Sequence, residues 1–341
     1  MRSQTALAEL KPGSQRSAAS SARWIELEDA NSMAEHLPGW HLHYDQVGTG
    51  RFVGRMIDVS LGTIQVLRKQ ISVSVLQTGE SLSELNFCFP IHTVGQGGRW
   101  LGKAFSASDV LVARKGHDVI LKTPDAADYV GINMGAEVLK EIQCMLDQDL
   151  DVLIGRREII ELHAWKASPL HRLLQGLCDG IAAWPAIPRA AAVRKNLLDQ
   201  LITTLVSLLE PDETRVRLNC SSLRARRVVD QAMEYIRAHS SDVITISELC
   251  KAAAVSRRSL QFSFELMTGM GPTTCTRIVR LNAVRRRLRE VRGCSNVLRV
   301  QDIAAESGFW HCGQFASYYK RVFGESPSMT LRATNRQCAA A

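Results

Sequence analysis

Residues 303–328 read IAAESGFWHCGQFASYYKRVFGESPS. The stretch starts as a short helix with small side chains and breaks near Gly308. It resumes as a second helix with aromatic residues at helical spacing, and then reaches a Gly and a Pro. Small residues let two helices cross closely at a large angle, so the pattern predicts a helix-turn-helix unit over residues 300–323. The second helix of such a unit enters the major groove of DNA with its N-terminal residues against base edges.

A matching unit lies about 55 residues earlier, over residues 245–266. Thr245 can cap a helix while Glu248 reaches back to it, as in a capping box before an apolar run. Small residues follow at 252–254, a turn is expected near Val255, and a second helix carries the stretch VSRRSLQFSFEL. An aromatic, a Gly and a Pro follow this unit as well, so the sequence predicts the arrangement twice.

A helix that starts at Pro272 is predicted to join the two units, because Pro is favoured at the first helical position. It extends to about Val291, and some 20 residues at about 1.5 Å each span roughly 30 Å. Successive major grooves on one face of DNA lie about 34–36 Å apart. The helix therefore suits two recognition helices in adjacent grooves. Its arginines are expected to contact phosphates: Arg280, Arg285, Arg286, Arg287, Arg289 and Arg292.

The charge of the chain is divided unevenly along its length. Residues 215–341 contain 21 Lys and Arg against 9 Asp and Glu, whereas residues 1–214 contain 21 against 25. The last third thus has a net charge of +12 and the remainder −4, within a total of +8. A basic segment of this kind favours a polyanionic partner, either nucleic acid or an anionic membrane.

The sequence before the basic third predicts a different fold. Short β-rich runs separated by Gly or polar turns extend from Trp40 to about Met134, which is typical of an all-β sandwich or barrel. Helical periodicity begins at Ala136. The predicted class is α+β. A β-rich domain with C-terminal helices occupies residues 23–210, a polar linker residues 211–224, and an all-α domain residues 225–334. Residues 1–22 are expected to be disordered.

Residues 226–334 resemble the DNA-binding domain of the AraC/XylS family of bacterial transcription regulators. The most specific match is I-A-x-x-S-G-F followed by F-x-x-Y-x-x-x-F-G-E-S-P-S, from Ile303 to Ser328. The first unit matches less closely, since Phe262 stands where a polar or basic residue is common in the family. The motif FWHCGQFASYY and the chain length resemble the branch that contains ethanolamine-operon regulators.

The resemblance implies an effector-responsive regulator of transcription, commonly an activator that contacts RNA polymerase. It also implies a cupin-like N-terminal domain for an unknown small-molecule effector or for dimerisation. Double-stranded DNA is the principal predicted partner.

The predicted DNA-contacting residues lie on the exposed sides of the two second helices. Arginine pairs with guanine and glutamine with adenine through two hydrogen bonds. Phosphate contact is the alternative for Arg257, and backbone contact for Tyr318. The full set is Arg257, Arg258 and Gln261 in the first unit, and His311, Cys312, Gln314, Ser317 and Tyr318 in the second.

A cupin-type metal-dependent enzyme with a basic appendage is the alternative function. His41 and His43 are two residues apart, which places both imidazoles on one side of a strand. No Glu follows at short spacing, since the next one is Glu80, and no G-x-S-x-G motif is present. The prediction is therefore a protein that is not an enzyme and has no cofactor or metal.

Three further expectations concern the environment of the chain. Nine scattered cysteines without a C-x-x-C pair favour reduced thiols and a cytoplasmic protein. The apolar stretch from Leu197 to Leu209 is too short and too polar to span a membrane. Its leucines suit either a core helix or a dimer helix, and a homodimer is slightly favoured.

Overall fold

The computed structural model describes residues 24–95, 97–146, 154–155, 157–184, 191–209, 220–239, 244–290, 299–309 and 311–332. The expectations for residues 1–22, Arg292 and most of the predicted linker lie outside these ranges. The described chain has a β-rich part, residues 24–209, and a helical part, residues 220–332. None of the described helices is long and apolar enough to cross a membrane.

Twelve strands of the β-rich part form two antiparallel sheets. The strands are β1 (Ile25–Leu27), β2 (Trp40–Gln46), β3 (Gly54–Ser60), β4 (Ile64–Ile71), β5 (Val75–Ser81), β6 (Leu85–Val94), β7 (Arg99–Trp100), β8 (Lys103–Ala104), β9 (Asp109–Arg114), β10 (Asp118–Lys122), β11 (Ala126–Met134) and β12 (Ile159–Glu161). A seven-stranded sheet has the order β1-β3-β4-β11-β6-β9-β12, and a five-stranded sheet the order β2-β5-β10-β7-β8.

Ten helices complete the described fold and confirm the α+β class. Four belong to the β-rich part: α1 (Ala30–Glu35), α2 (Ala136–Leu146), α3 (Ala164–Ala183) and α4 (Ala191–Leu209). Six belong to the helical part: α5 (Cys220–Ala238), α6 (Ile246–Ala252), α7 (Arg257–Thr268), α8 (Pro272–Glu290), α9 (Val300–Glu306) and α10 (Cys312–Phe323). Helix α5 therefore begins within the stretch that the sequence predicts to be a linker.

The two faces of the seven-stranded sheet have different neighbours. Tyr44, Phe52 and Tyr129 are completely buried in the core that also holds residues of β3, β4 and β5. A second core packs strand residues such as Phe87 and Val130 against α2, α3 and α4. The β-rich part is thus a sheet sandwich with helices on one outer face.

Helix α4 turns its leucines into that second core, which corrects the preference for a dimer helix. Leu201, Ile202, Leu205 and Leu208 are buried within the chain, and Leu197 and Leu198 pack against the same cluster. A heptad-like apolar face has the same pattern whether its partner is the chain's own core or a second copy. The structure selects the core for these residues.

The helical part docks on the β-rich part through one shared hydrophobic cluster. Leu76, Trp100 and Ile120 of the five-stranded sheet belong to the same cluster as Val229 of α5 and Phe264 of α7. Polar contacts surround it. Asn282 of α8 donates from Nδ2 to Gln46 O at 3.2 Å, and its Oδ1 accepts from Gln46 N at 3.0 Å. The two parts therefore share a core as well as a polar boundary.

Charged residues of α5 and α8 also cross this boundary. Asp45 of β2 is 1% exposed and lies 3.5 Å from Arg237 and 3.7 Å from Arg286. Arg226 lies 3.6 Å from both Asp118 and Glu158. Part of the positive charge of the helical part is thus neutralised by the acidic β-rich part.

Asp230 of α5 meets Asp118 of β10 at the same boundary. Burial, followed by the charge of Asp118 and a hydrogen bond between the two carboxyl groups, raises the pKa of Asp230 from 3.8 to about 8. Arg226 and Arg237 act in the opposite direction. A protonated Asp230 is the form that can donate a hydrogen bond to the Asp118 carboxylate.

This carboxyl pair makes the stability of the chain sensitive to pH. Because the folded-state pKa of Asp230 is above its unfolded value, its contribution is complete below about pH 4 and is lost as the pH rises to about 8. Asp230→Asn keeps a donor at every pH. The urea midpoint of this variant should fall less than that of the wild type between pH 5 and pH 9. Glu234→Gln changes an exposed side chain one turn later on α5 and should behave like the wild type. An equal fall of the urea midpoint with pH in all three proteins would contradict the role given to Asp230.

Candidate nucleic-acid interface

The first pair of helices in the interface, α6 and α7, has the predicted capping box. Thr245 N donates to Glu248 Oε2 at 2.7 Å, and Glu248 N donates to Thr245 Oγ1 at 3.2 Å. The turn passes through Ala254, whose φ of 50° is in the left-handed region. Ser256 then caps α7 by accepting from Ser259 N at 3.2 Å. Local hydrogen bonds therefore fix both helix starts.

The second pair, α9 and α10, repeats this geometry. Gly308, with a φ of 76°, occupies the same place in the turn as Ala254. Arg299 N donates to Asp302 Oδ2 at 3.2 Å, at the positions equivalent to Thr245 and Glu248. The last helix of each pair ends at a left-handed glycine, Gly269 with φ 69° and Gly324 with φ 72°.

Aromatic and aliphatic side chains hold the inner faces of α7 and α10. Leu260 and Phe264 are completely buried, and Phe315 is buried as well. In the second pair, the rings of Phe309, Phe315, Tyr319 and Phe323 form a continuous row of contacts with centroid separations of 5.1, 5.7 and 4.5 Å. Because these residues face inward, the opposite sides of both helices are available for binding.

The predicted contact residues lie on those outer sides. Arg257, Arg258 and Gln261 of the first unit are exposed, and so are His311, Cys312, Gln314 and Ser317 of the second. Their contact with bases remains a prediction. The Gln261 amide donates to Glu265 one turn later, so part of its hydrogen-bonding capacity is already used within α7.

Tyr318 has a more enclosed position than the other members of the set. The guanidinium groups of Arg277 and Arg321 lie 4.7 and 5.0 Å from the centroid of its ring. Its hydroxyl accepts from Gln314 Nε2 at 3.3 Å. The ring thus positions two cations, which suits backbone contact better than base contact.

A cleft of about 300 Å³ lies between the two units. Apolar residues such as Ile244 and Phe309 form part of its wall, and its cations come from α8. The lining also includes Thr273, Arg277, Arg280, Gln314 and Tyr318. The lining is chemically suited to a sugar–phosphate backbone, because hydroxyl and guanidinium groups bind phosphate oxygens.

Helix α8 is the predicted spacer, but not all of its arginines have the predicted role. The helix has 19 residues. At about 1.5 Å per residue, its length is about 28 Å. Arg285 is buried and binds Asp29 at 3.3 Å and Glu325 at 2.9 Å, so the prediction of phosphate contact by this residue is wrong. Arg286 is directed towards Asp45. Their acidic partners are distant in the sequence, and local periodicity therefore could not reveal them.

The histidine pair of the alternative function lies on β2. His41 Nδ1 is 3.8 Å from Glu80 Oε1 on the neighbouring strand. Burial, more than the nearby charge of Arg237, lowers the pKa of His43. Within the described ranges, no three His, Cys, Asp or Glu side chains are grouped as a metal site would require.

Two helix-turn-helix units with exposed second helices, joined by one long helix, define a helix-turn-helix DNA-binding protein. A helix-turn-helix domain family model matches residues 249–333. A probable thc operon regulatory protein of Rhodococcus erythropolis is 30% identical over 205 residues, which cover 60% of this chain and 57% of that protein. XylDLEGF operon transcriptional activator 2 of Pseudomonas putida is 32% identical over 115 residues, 32% of this chain and 68% of that protein.

Among solved structures, a probable AraC family transcriptional regulator from Rhodopseudomonas palustris is 31% identical. The match covers 32% of this chain and 97% of that one, with a TM-score of 0.29. The chain spans about half the length of most curated relatives that it matches, for example 46% of XylDLEGF operon transcriptional activator 3 of P. putida. The chain belongs to the AraC/XylS family of transcription regulators. Its resemblance to the ethanolamine-operon branch stays a prediction.

Proposed function

We propose that the chain is a sequence-specific, effector-responsive transcription activator that reads two successive major grooves. The observation that carries the proposal is the pair of equivalent helices, α7 and α10, which precede and follow the long helix α8 in the chain and present exposed polar residues. Activation is the role named for the P. putida relatives. RNA polymerase, a second copy of the chain and a cytoplasmic location are parts of the same proposal.

Selection of bound duplexes from a random pool, with the full chain as the binding protein, tests whether it reads DNA sequence. The expected product is a site with two elements about one helical turn apart, since the spacer length is close to the distance of about 34–36 Å between grooves. Affinity for the selected duplex should fall steeply between about 50 and about 200 mM salt, because cations released from phosphates drive binding. A single short element, or recovery of no common sequence, would contradict reading by two helices.

Arg258→Ala should weaken binding to the selected duplex by about 1–3 kcal/mol and remove the preference at one base pair. The physical reason is the loss of a bidentate contact from an exposed guanidinium at the start of α7. The measurement is affinity for the selected duplex and for its single-base variants. Arg172→Ala, an exposed arginine of α3 in the β-rich part, is the matched control and should bind like the wild type. An equal loss of affinity for all duplexes would mean that Arg258 contacts a phosphate and not a base.

The effector part of the proposal depends on Lys69, which is 8% exposed between the two sheets. Its Nζ donates to Tyr44 Oη at 2.8 Å and to Gln77 Oε1 at 3.0 Å, and no carboxylate of the described residues pairs with it. In that same part of the chain, Tyr129 Oη and Gln77 Nε2 have no hydrogen-bond partner. A buried ammonium group is stabilised by an anion. We therefore infer that the effector is a small anion.

A panel of small carboxylates and their neutral amides tests this inference in thermal unfolding. A carboxylate effector should raise the Tm of the wild type by mass action, whereas its amide should not. Lys69→Met keeps the aliphatic stem and should lose the response. An equal shift in the variant would place the anion elsewhere, and the absence of a shift with every member of the panel would refute a carboxylate effector.

A further inference from the structure

Among the described residues of α7, Phe262 is the one large apolar side chain that is exposed on the outer face. It is 55% exposed and, unlike Val255 and Leu266 of the same unit, belongs to no hydrophobic cluster of the described residues. Single exposed apolar residues are common on protein surfaces and need no explanation by themselves. What distinguishes this ring is its position on the helix.

The direction of each α7 side chain follows from about 3.6 residues per turn. Leu260, Phe264 and Met267, all completely buried, define the inner side. Arg258 and Phe262, one turn apart on a single row, lie nearest to the opposite side, while Arg257 and Gln261 lie closer to the edge of the buried face. Phe262 therefore points outward at least as directly as the arginine predicted to read a base.

The chemistry of the major groove offers such a ring one apolar target. Each base pair presents hydrogen-bonding groups there, and thymine adds its C5 methyl group, which phenylalanine can contact. Polar edges would instead lose water against the ring without gaining a hydrogen bond. A protein partner on this row would compete with DNA for the face that carries Arg258.

We propose that Phe262 is a specificity-determining residue that recognises a thymine methyl group beside the base read by Arg258. This inference rests on the proposed DNA-reading function. The two side chains are four residues apart, or about 6 Å along the helix axis. One base step is about 3.4 Å, so the thymine should lie within one or two base pairs of the position whose preference Arg258→Ala removes.

The test uses the full chain and the duplex that it selects from a random pool. Each thymine is replaced in turn by deoxyuridine, which lacks only the methyl group. The wild type should lose about fourfold in affinity at one thymine, which corresponds to about 0.8 kcal/mol for one methylene-sized contact. Phe262→Ala should bind the thymine and uracil duplexes equally at that position, and Phe262→Leu should retain part of the difference.

The outcomes separate this inference from the function on which it rests. If the wild type selects no common sequence, both fail. If it selects a site but Phe262→Ala shows the same response to deoxyuridine at every thymine, or the site contains no thymine within two base pairs of the Arg258 position, the function stands and the role of Phe262 is refuted. A variant with unchanged DNA selection and reduced transcription would assign the ring to a protein contact and would also refute the proposal.

Discussion

Arg285→Ala should lower the free energy of unfolding by about 3–5 kcal/mol, the range measured when one partner of a buried ion pair is removed. The guanidinium is 4% exposed and binds Asp29 of the β-rich part and Glu325 after α10. Its carbon lies 4.6 Å from the centroid of Phe323. Removal leaves the Asp29 carboxylate buried. Among the described residues, only the backbone N–H and the hydroxyl of Ser32 at the start of α1 then donate to it.

Urea unfolding followed by circular dichroism measures this loss, because the midpoint shifts in proportion to the free energy at constant slope. Arg287→Ala is the matched control two residues later on α8. The Arg287 side chain is 54% exposed and lies 3.9 Å from Glu290. Because exposed ion pairs contribute little, this change should cost at most about 0.5 kcal/mol. Similar midpoints for the two variants would show that the Arg285 ion pairs do not hold the parts together.

Phe264→Ala should cost about 3–5 kcal/mol of stability, since it removes a completely buried ring from the cluster shared by both parts. Phe262→Ala, two residues earlier, should change stability by at most about 0.5 kcal/mol, because its ring is exposed. Thermal and urea unfolding of the two variants provide the comparison. Equal losses would mean that the inner and outer sides of α7 are assigned wrongly.

Local sequence signals are sufficient for the helices of the candidate site. The capping box of Thr245 and Glu248, the helix start at Pro272 and the small residues before Gly308 act over four or five residues, and each has the predicted structural role. Such signals are readable because their partners are neighbours in the chain.

The remaining features depend on distant partners. Arg285 is part of an arginine run whose composition suggests solvent or phosphate, yet its partner Asp29 is 256 residues away. The α4 leucines have the same spacing in a core helix as in a dimer helix. The boundary between β4 and β5 has no local signal either, because the apolar pattern continues from one strand into the next while the chain passes from the seven-stranded to the five-stranded sheet.

The β-rich part donates a hydrogen bond to the last turn of α7 and to the last turn of α10. Arg99 Nη1 donates to Leu266 O at 3.4 Å, and Gly50 N donates to Val322 O at 3.0 Å. The inner face of each helix packs within its own unit, and a rotation of the unit about this last turn would displace the first turn of the helix most. Each has 12 residues, and its length is therefore about 18 Å. A tilt of about 10° at the held turn displaces the groove-facing turn by about 3 Å, close to the rise of one base pair. A shift of the loops at Gly50 and Gly102 that tilted either helix by this amount would therefore move its first turn by about one base step.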